Sequence, residues 1–157
     1  SETGQMLIIL LMLVGGSPGS TAGGMKTTTI AVLVSSALSL FRKKENTHFF
    51  KRRISDDTVK SAATIFLLYI VLFIGGGMII SRLENIPLLP SLFETASAIG
   101  TVGLSLGITS QLGVASQFIL IILMFFGRVG GLTLIFAAMK GTGTNVTKYP
   151  QEKITVG

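Results

Sequence analysis

The 157-residue chain is 48% hydrophobic and only 13% charged, with a mean hydropathy of +0.71; soluble domains carry roughly a quarter of charged residues, so lipid must be the solvent for much of it. Its net charge of +6 comes from basic residues gathered in bounded clusters between apolar runs, which argues against a nucleic-acid surface. With no cysteine, a disulfide framework, a thiolate metal site and a cysteine nucleophile are excluded.

The chain opens on Ser1, Glu2, Thr3 and Gly4 without an initiator methionine. Its first apolar run has neither the basic n-region nor the small-residue cleavage site of a signal peptide, and reads as part of a C-terminal piece of a longer protein. Residues 6–14 are apolar, 15–29 small and polar, and 30–41 apolar again. Nine helical residues rise roughly 13 Å and twelve roughly 18 Å, so only together do the halves cover a hydrocarbon core of about 30 Å. Residues 6–41 therefore predict one crossing made of a broken helix, with an irregular loop over 15–24 at membrane depth. Unpaired backbone groups are tolerated there only if buried in protein or lining a watery cavity, and broken helices of this kind point to a transport pathway.

Arg42, Lys43, Lys44, Lys51, Arg52, Arg53 and Lys60 outnumber Glu45, Asp56 and Asp57 in the next segment, which the positive-inside rule makes cytoplasmic. His48 within it has no evident chemistry. Residues 62–80 form an uncharged spanning run, and 115–139 a second, apolar apart from Arg128; both are long enough to cross. The expected topology has the N-terminus and residues 81–113 outside, and the tail with Lys140, Lys148 and Lys153 inside.

Between the last two spans, Pro87 and Pro90 are expected to push Ile86 and Leu89 away from helical geometry. Ser91 followed by Glu94 reads as a capping box, starting a helix that runs to Ala98. At about 12 Å such a helix is too short to span; it enters the membrane and stops, its negative pole aimed inward. Thr101, Val102 and Gly103 follow, close to the carbonyl-lined loop that replaces a potassium ion's hydration shell in channels. Carbonyls that all face one axis need alternating backbone signs, which glycine adopts cheaply.

Two motifs make the chain resemble the Trk/Ktr/HKT superfamily of potassium transporters, most closely the bacterial Ktr/Trk pore subunit. One runs from Gly15 through Gly16, Ser17, Pro18, Gly19, Ser20, Thr21, Ala22, Gly23, Gly24, Met25 and Lys26 to Thr28; the other covers residues 98–109. The resemblance implies an all-α membrane protein of helix-pore loop-helix repeats of the potassium-channel type, with one broken transmembrane helix. It implies that residues 1–41 are the inner helix of a third repeat, 42–60 a cytoplasmic basic loop, 61–140 a fourth repeat and 141–157 a cytoplasmic tail. By the same resemblance, Gly100, Thr101, Val102 and Gly103 supply one quarter of a selectivity filter holding potassium through their backbone carbonyls. Gly15, Gly16, Ser17, Gly19, Ser20, Thr21, Ala22, Gly23 and Gly24 would form an intramembrane gate loop. Its implied setting is a multi-pass homodimer in the cell inner membrane, completed by the remaining repeats, surrounded by membrane lipid and served by cytosolic nucleotide-binding regulatory subunits. No cofactor is expected in this chain; potassium is the substrate, with sodium as a possible coupling ion. Leucine after Thr-Val-Gly, where channels have tyrosine, leaves room for fewer ion sites.

Arg128, by helical rise roughly 15 Å deep, is expected to face the bundle interior; the resemblance puts it near the gate loop, as a barrier and an anchor for carbonyls. Lys26 invites a phosphate-loop reading, but Met25 separates it from the last glycine and no strand precedes it; it is expected to reach toward the cytoplasmic mouth. Two rival classes remain, a membrane enzyme and a non-conducting scaffold. The enzyme lacks paired acids, a His cluster or a nucleophile with its base, and the scaffold leaves the re-entrant helix unexplained. A sodium transporter of the same fold is the nearer alternative.

Overall fold

The computed structural model describes residues 1–42, 48–49 and 52–130. Helices carry almost all of that structure, as expected. Ser1 caps α1 (Glu2–Leu13), its Oγ accepting from the Gly4 N–H at 3.4 Å, so the helix begins before the apolar run does. After an irregular stretch, α2 (Thr27–Phe41) resumes, so the expected break between two helical halves is observed. The basic segment contributes a two-rung antiparallel ladder, β1 (His48–Phe49) with β2 (Arg52–Arg53), pairing His48 with Arg53 and Phe49 with Arg52. Lys43, Lys44, Glu45 and Lys51 lie outside the described residues, as do Lys140, Lys148 and Lys153 of the tail.

α3 (Asp56–Glu84) is the one helix among the described residues long and apolar enough to cross a membrane. Asp56 and Asp57 in its first turn and Arg82 in its last complement the helix dipole, and Asn85 stops it in the left-handed conformation at φ 52°. These ends lengthen the helix beyond the expected 62–80. Its C-terminal third is notched: a β-carbon on Gly76 would meet the Leu123 side chain at 2.9 Å, and one on Gly77 the Leu92 side chain at 2.5 Å. Glycine there lets α4 (Leu88–Gly100) and α5 (Val114–Val129) approach the helix axis.

α4 is the buried centre, packed by α1, α3 and α5, with every residue from Phe93 to Gly100 buried. Its 13 residues rise about 20 Å, still short of a crossing. Its start differs from the expectation. Pro87 is the N-cap without a side-chain cap bond, and Ser91 Oγ instead donates to the Pro87 carbonyl at 3.3 Å. The capping box does not form, because Glu94 is used elsewhere. Leu89 is helical despite preceding Pro90, since proline in a first turn removes only an N–H that has no intrahelical acceptor.

At the other end of α3, Glu84 Oε1 accepts from the Gly113 N–H at 2.9 Å and from Ser116 Oγ at 2.5 Å, which caps α5. That helix ends at Val129, with Gly130 at φ 83°. The expected continuous span over 115–139 is thus interrupted, and its remainder lies outside the described residues. Outside the core, Leu7, Leu10 and Leu11 of α1, Leu67 of α3 and Phe118 and Ile121 of α5 stand exposed. So continuous an apolar exterior suits lipid or further protein.

Candidate functional site

Three glycine-bearing segments meet at one point: Gly23–Gly24 of the loop, Gly100 at the end of α4, and Gly127 in the last turn of α5. The loop is closed at its base. Gly15 N–H donates to the Met25 carbonyl at 2.7 Å, Met25 N–H to Leu13 at 3.4 Å and Thr27 N–H to Gly16 at 3.3 Å, so Val14 and Met25 form a parallel bridge where the two half-helices part. Above it, Gly24 N–H donates to the Gly127 carbonyl at 3.2 Å. A β-carbon on Gly127 would overlap the Ile99 carbonyl, and one on Gly24 would stand 3.3 Å from the Gly100 Cα. Small residues are needed because backbone packs on backbone.

Two cations hold the loop's carbonyls. Lys26 Nζ donates to Ser20 O at 3.2 Å and Ala22 O at 3.0 Å, and the Arg128 guanidinium donates to Thr21 O. Lys26 therefore folds back over the loop it follows. Arg128 meets the loop as expected, from the last turn of α5. Ser20 N–H donates to Ser17 O at 3.0 Å and Ala22 N–H to Ser20 Oγ at 3.1 Å, which shapes the exposed tip.

The end of α4 forms a Schellman cap: Thr101 N–H donates to Ala98 O at 3.1 Å and Val102 N–H to Ser97 O at 3.0 Å. The left-handed residue is Thr101, at φ 52° and ψ 37°, a conformation that costs an L-residue energy and a β-branched one more. Gly103 follows at φ 81°. Gly100 is thus the last helical residue, and the alternating backbone begins one residue later than expected. Thr101 and Gly103 line one cleft of about 550 Å³ with Ser97, Met124, Phe125 and Arg128. Gly100, Val102 and Leu104 line another of about 510 Å³ with α1 and the loop. From Thr101 to Leu104 the residues alternate between the two clefts.

Glu94 and the side chain of Thr101 hold contacts that sequence reasoning missed. Glu94, 4% exposed, accepts from Ser105 Oγ at 2.7 Å, Leu106 N–H at 3.0 Å and Thr109 Oγ1 at 2.6 Å. It pins the chain that leaves the Thr-Val-Gly stretch. The only trace in the sequence is a serine and a threonine four residues apart beyond it. Among the described residues no group of three or more His, Asp or Glu stands ready to ligate a metal.

A family model described as TrkH, cation transport protein, matches residues 1–148. The chain is 43% identical over 74 residues to Ktr system potassium uptake protein B of Bacillus subtilis, covering 47% of the chain and 16% of that protein. It is 39% identical over 83 residues to Ktr system potassium uptake protein D of the same organism, covering 53% and 18%. With the potassium/sodium uptake protein NtpJ of Enterococcus hirae it shares 38% identity over 86 residues, covering 51% and 19%. The matched part is thus less than a fifth of the length of each of these relatives.

Proposed function

The chain belongs to the TrkH family of cation transport proteins, whose members matched here are transporters and not enzymes, and from that premise we propose that it forms one wall of a potassium-uptake pore. Gly100, Thr101, Val102 and Gly103 give the carbonyls of one quarter of the filter, and residues 15–24 are the gate loop beneath it. The observation that carries this reading is the meeting of the buried end of α4 with a loop whose carbonyls are held by Lys26 and Arg128.

The negative pole of α4 favours a dehydrating cation at its C-terminal end, and the carbonyls of a sign-alternating chain replace the lost water. Lys26 and Arg128 act from the other side. While they grip Ser20, Thr21 and Ala22, the loop stays folded in the path and their charge opposes a cation leaving the filter. Conduction requires that grip to loosen. Potassium is the substrate and makes or breaks no bond; no cofactor is needed from this chain. The remaining repeats complete the pore, with residues 1–41 belonging to a third repeat and 61–140 to a fourth. A homodimer in the inner membrane and cytosolic nucleotide-binding subunits that move the gate complete the proposal. Sodium as permeant or coupling ion is the second reading, favoured by the similarity to the potassium/sodium uptake protein of Enterococcus hirae.

The test is rubidium and sodium uptake by the full-length parent, with its regulatory subunits, in a bacterium deficient in potassium uptake. Gly103 has φ 81°, so Gly103→Ser strains the backbone where the carbonyl must point correctly. Loss of rubidium uptake, or admission of sodium, at matched membrane abundance is expected from this variant. No rubidium uptake by the wild type, properly inserted, sinks the potassium reading; sodium uptake in its place establishes the second.

A further inference from the structure

Thr101 does more than lend a carbonyl. Its Oγ1 accepts a hydrogen bond from the Gly23 N–H of the loop at 2.9 Å, across 78 residues of sequence. Gly23 is buried, and a β-carbon on it would stand 2.5 Å from that same Oγ1, so loop and side chain are in full contact. Thr101 is also one of only two non-glycine residues with positive φ among the described residues. A strained residue persists where its surroundings over-determine it, and here the restraints are two helix-terminating backbone bonds and one bond to the loop.

Resting on the proposed function, we propose that Thr101 is a positioning residue that couples the ion occupancy of the filter to the state of the gate loop. When the loop lifts away, the Gly23 N–H loses its acceptor and Thr101 loses the restraint on its side chain, so the carbonyls on either side of Thr101 are held less firmly. When a cation sits on those carbonyls, it fixes the same residue and firms the bond to Gly23. Coupling of this kind is reciprocal: an occupied filter favours a closed loop, and an open loop weakens the filter's hold on the departing ion. The hydrogen bonds of Lys26 and Arg128 go to the loop's carbonyls, whereas that of Thr101 joins the loop to the filter directly.

Hydrogen exchange over residues 15–26, measured on the complete transporter in nanodiscs with potassium chloride or choline chloride, reads the coupling directly. In the wild type, potassium is expected to slow exchange at these amides by about fivefold, the size of one hydrogen bond. Thr101→Val keeps the β-branch and removes the acceptor; its loop should exchange faster, with no response to potassium. Thr101→Ser keeps the acceptor and should restore the response. A wild-type loop indifferent to potassium overturns the coupling, and so does a Thr101→Val loop that responds as the wild type does. Rubidium uptake by the same proteins reconstituted into sealed liposomes separates the two levels: uptake without a potassium effect on the loop leaves the pore standing and removes the coupling, whereas absence of uptake removes the pore reading itself.

Discussion

Glu94 sets the energetics of the site at the scale of one side chain. A carboxylate at 4% exposure is costly unless its oxygens are bonded, and three donors meet it within 3.0 Å. Replacing it by leucine leaves Ser105, Thr109 and the Leu106 amide without their acceptor, at about 1 to 3 kcal/mol for each group that stays buried. Glutamine is gentler. Its oxygen can keep the Ser105 and Leu106 bonds while its amide donates to Thr109, which then accepts. Thermal unfolding of the detergent-purified parent protein should therefore show Glu94→Leu lowered by several degrees and Glu94→Gln close to wild type. Equal losses in both would mean that the charge, and not the hydrogen-bond pattern, holds the segment after Gly103.

Between elements, contacts are set by where helices stop. The break after α1, the span in α3 and the short helix α4 were legible, because hydropathy, glycine clusters and proline flanks are local signals. The stops were less so. Proline at Pro90 is harmless in a first turn, and Ser91 and Glu94 satisfy a capping pattern that a tertiary demand on Glu94 overrides. The end of α5 at Val129 puts Arg128 in a last turn, and the partner expected for it, the glycine-rich loop, is the one it meets. Nothing local in the sequence marks the bond between Gly23 and Thr101. Gly127 is where these stops converge: α5 crosses the Ile99 carbonyl there, and its own carbonyl holds Gly24. Gly127→Ala should push the end of α5 off α4, at a cost of about 1 to 3 kcal/mol for overpacking, and weaken the hold on the loop. Uptake without the regulatory subunits should rise while the melting temperature falls. A melting temperature equal to wild type would show that the ends of α4 and α5 stand further apart than described.

For the whole molecule, the decisive question is which side of the membrane each end of α3 occupies. Acidic residues open that helix and Arg82 closes it, so its own charges suit its dipole but do not orient it. Orientation comes from the basic segment before it, which the positive-inside rule assigns to the cytoplasm. The fold then fixes the rest. On that proposed orientation, with α3 crossing once, its far end, the start of α4 and the turn at Thr109–Gln111 would lie outside, α4 would enter from outside, and the loop with Lys26 and Arg128 would sit on the inner side of Thr101. An inverted chain would put that gate on the wrong side of the filter for subunits acting from the cytosol. With no cysteine in this chain, single replacements at exposed Lys60 and Gln111 give it no background in labelling with a membrane-impermeant maleimide, provided that the parent's other cysteines are removed. Gln111→Cys should label in intact cells, and Lys60→Cys only after the membrane is opened. The opposite pattern would invert the chain, and with it the direction in which Lys26 and Arg128 oppose a cation.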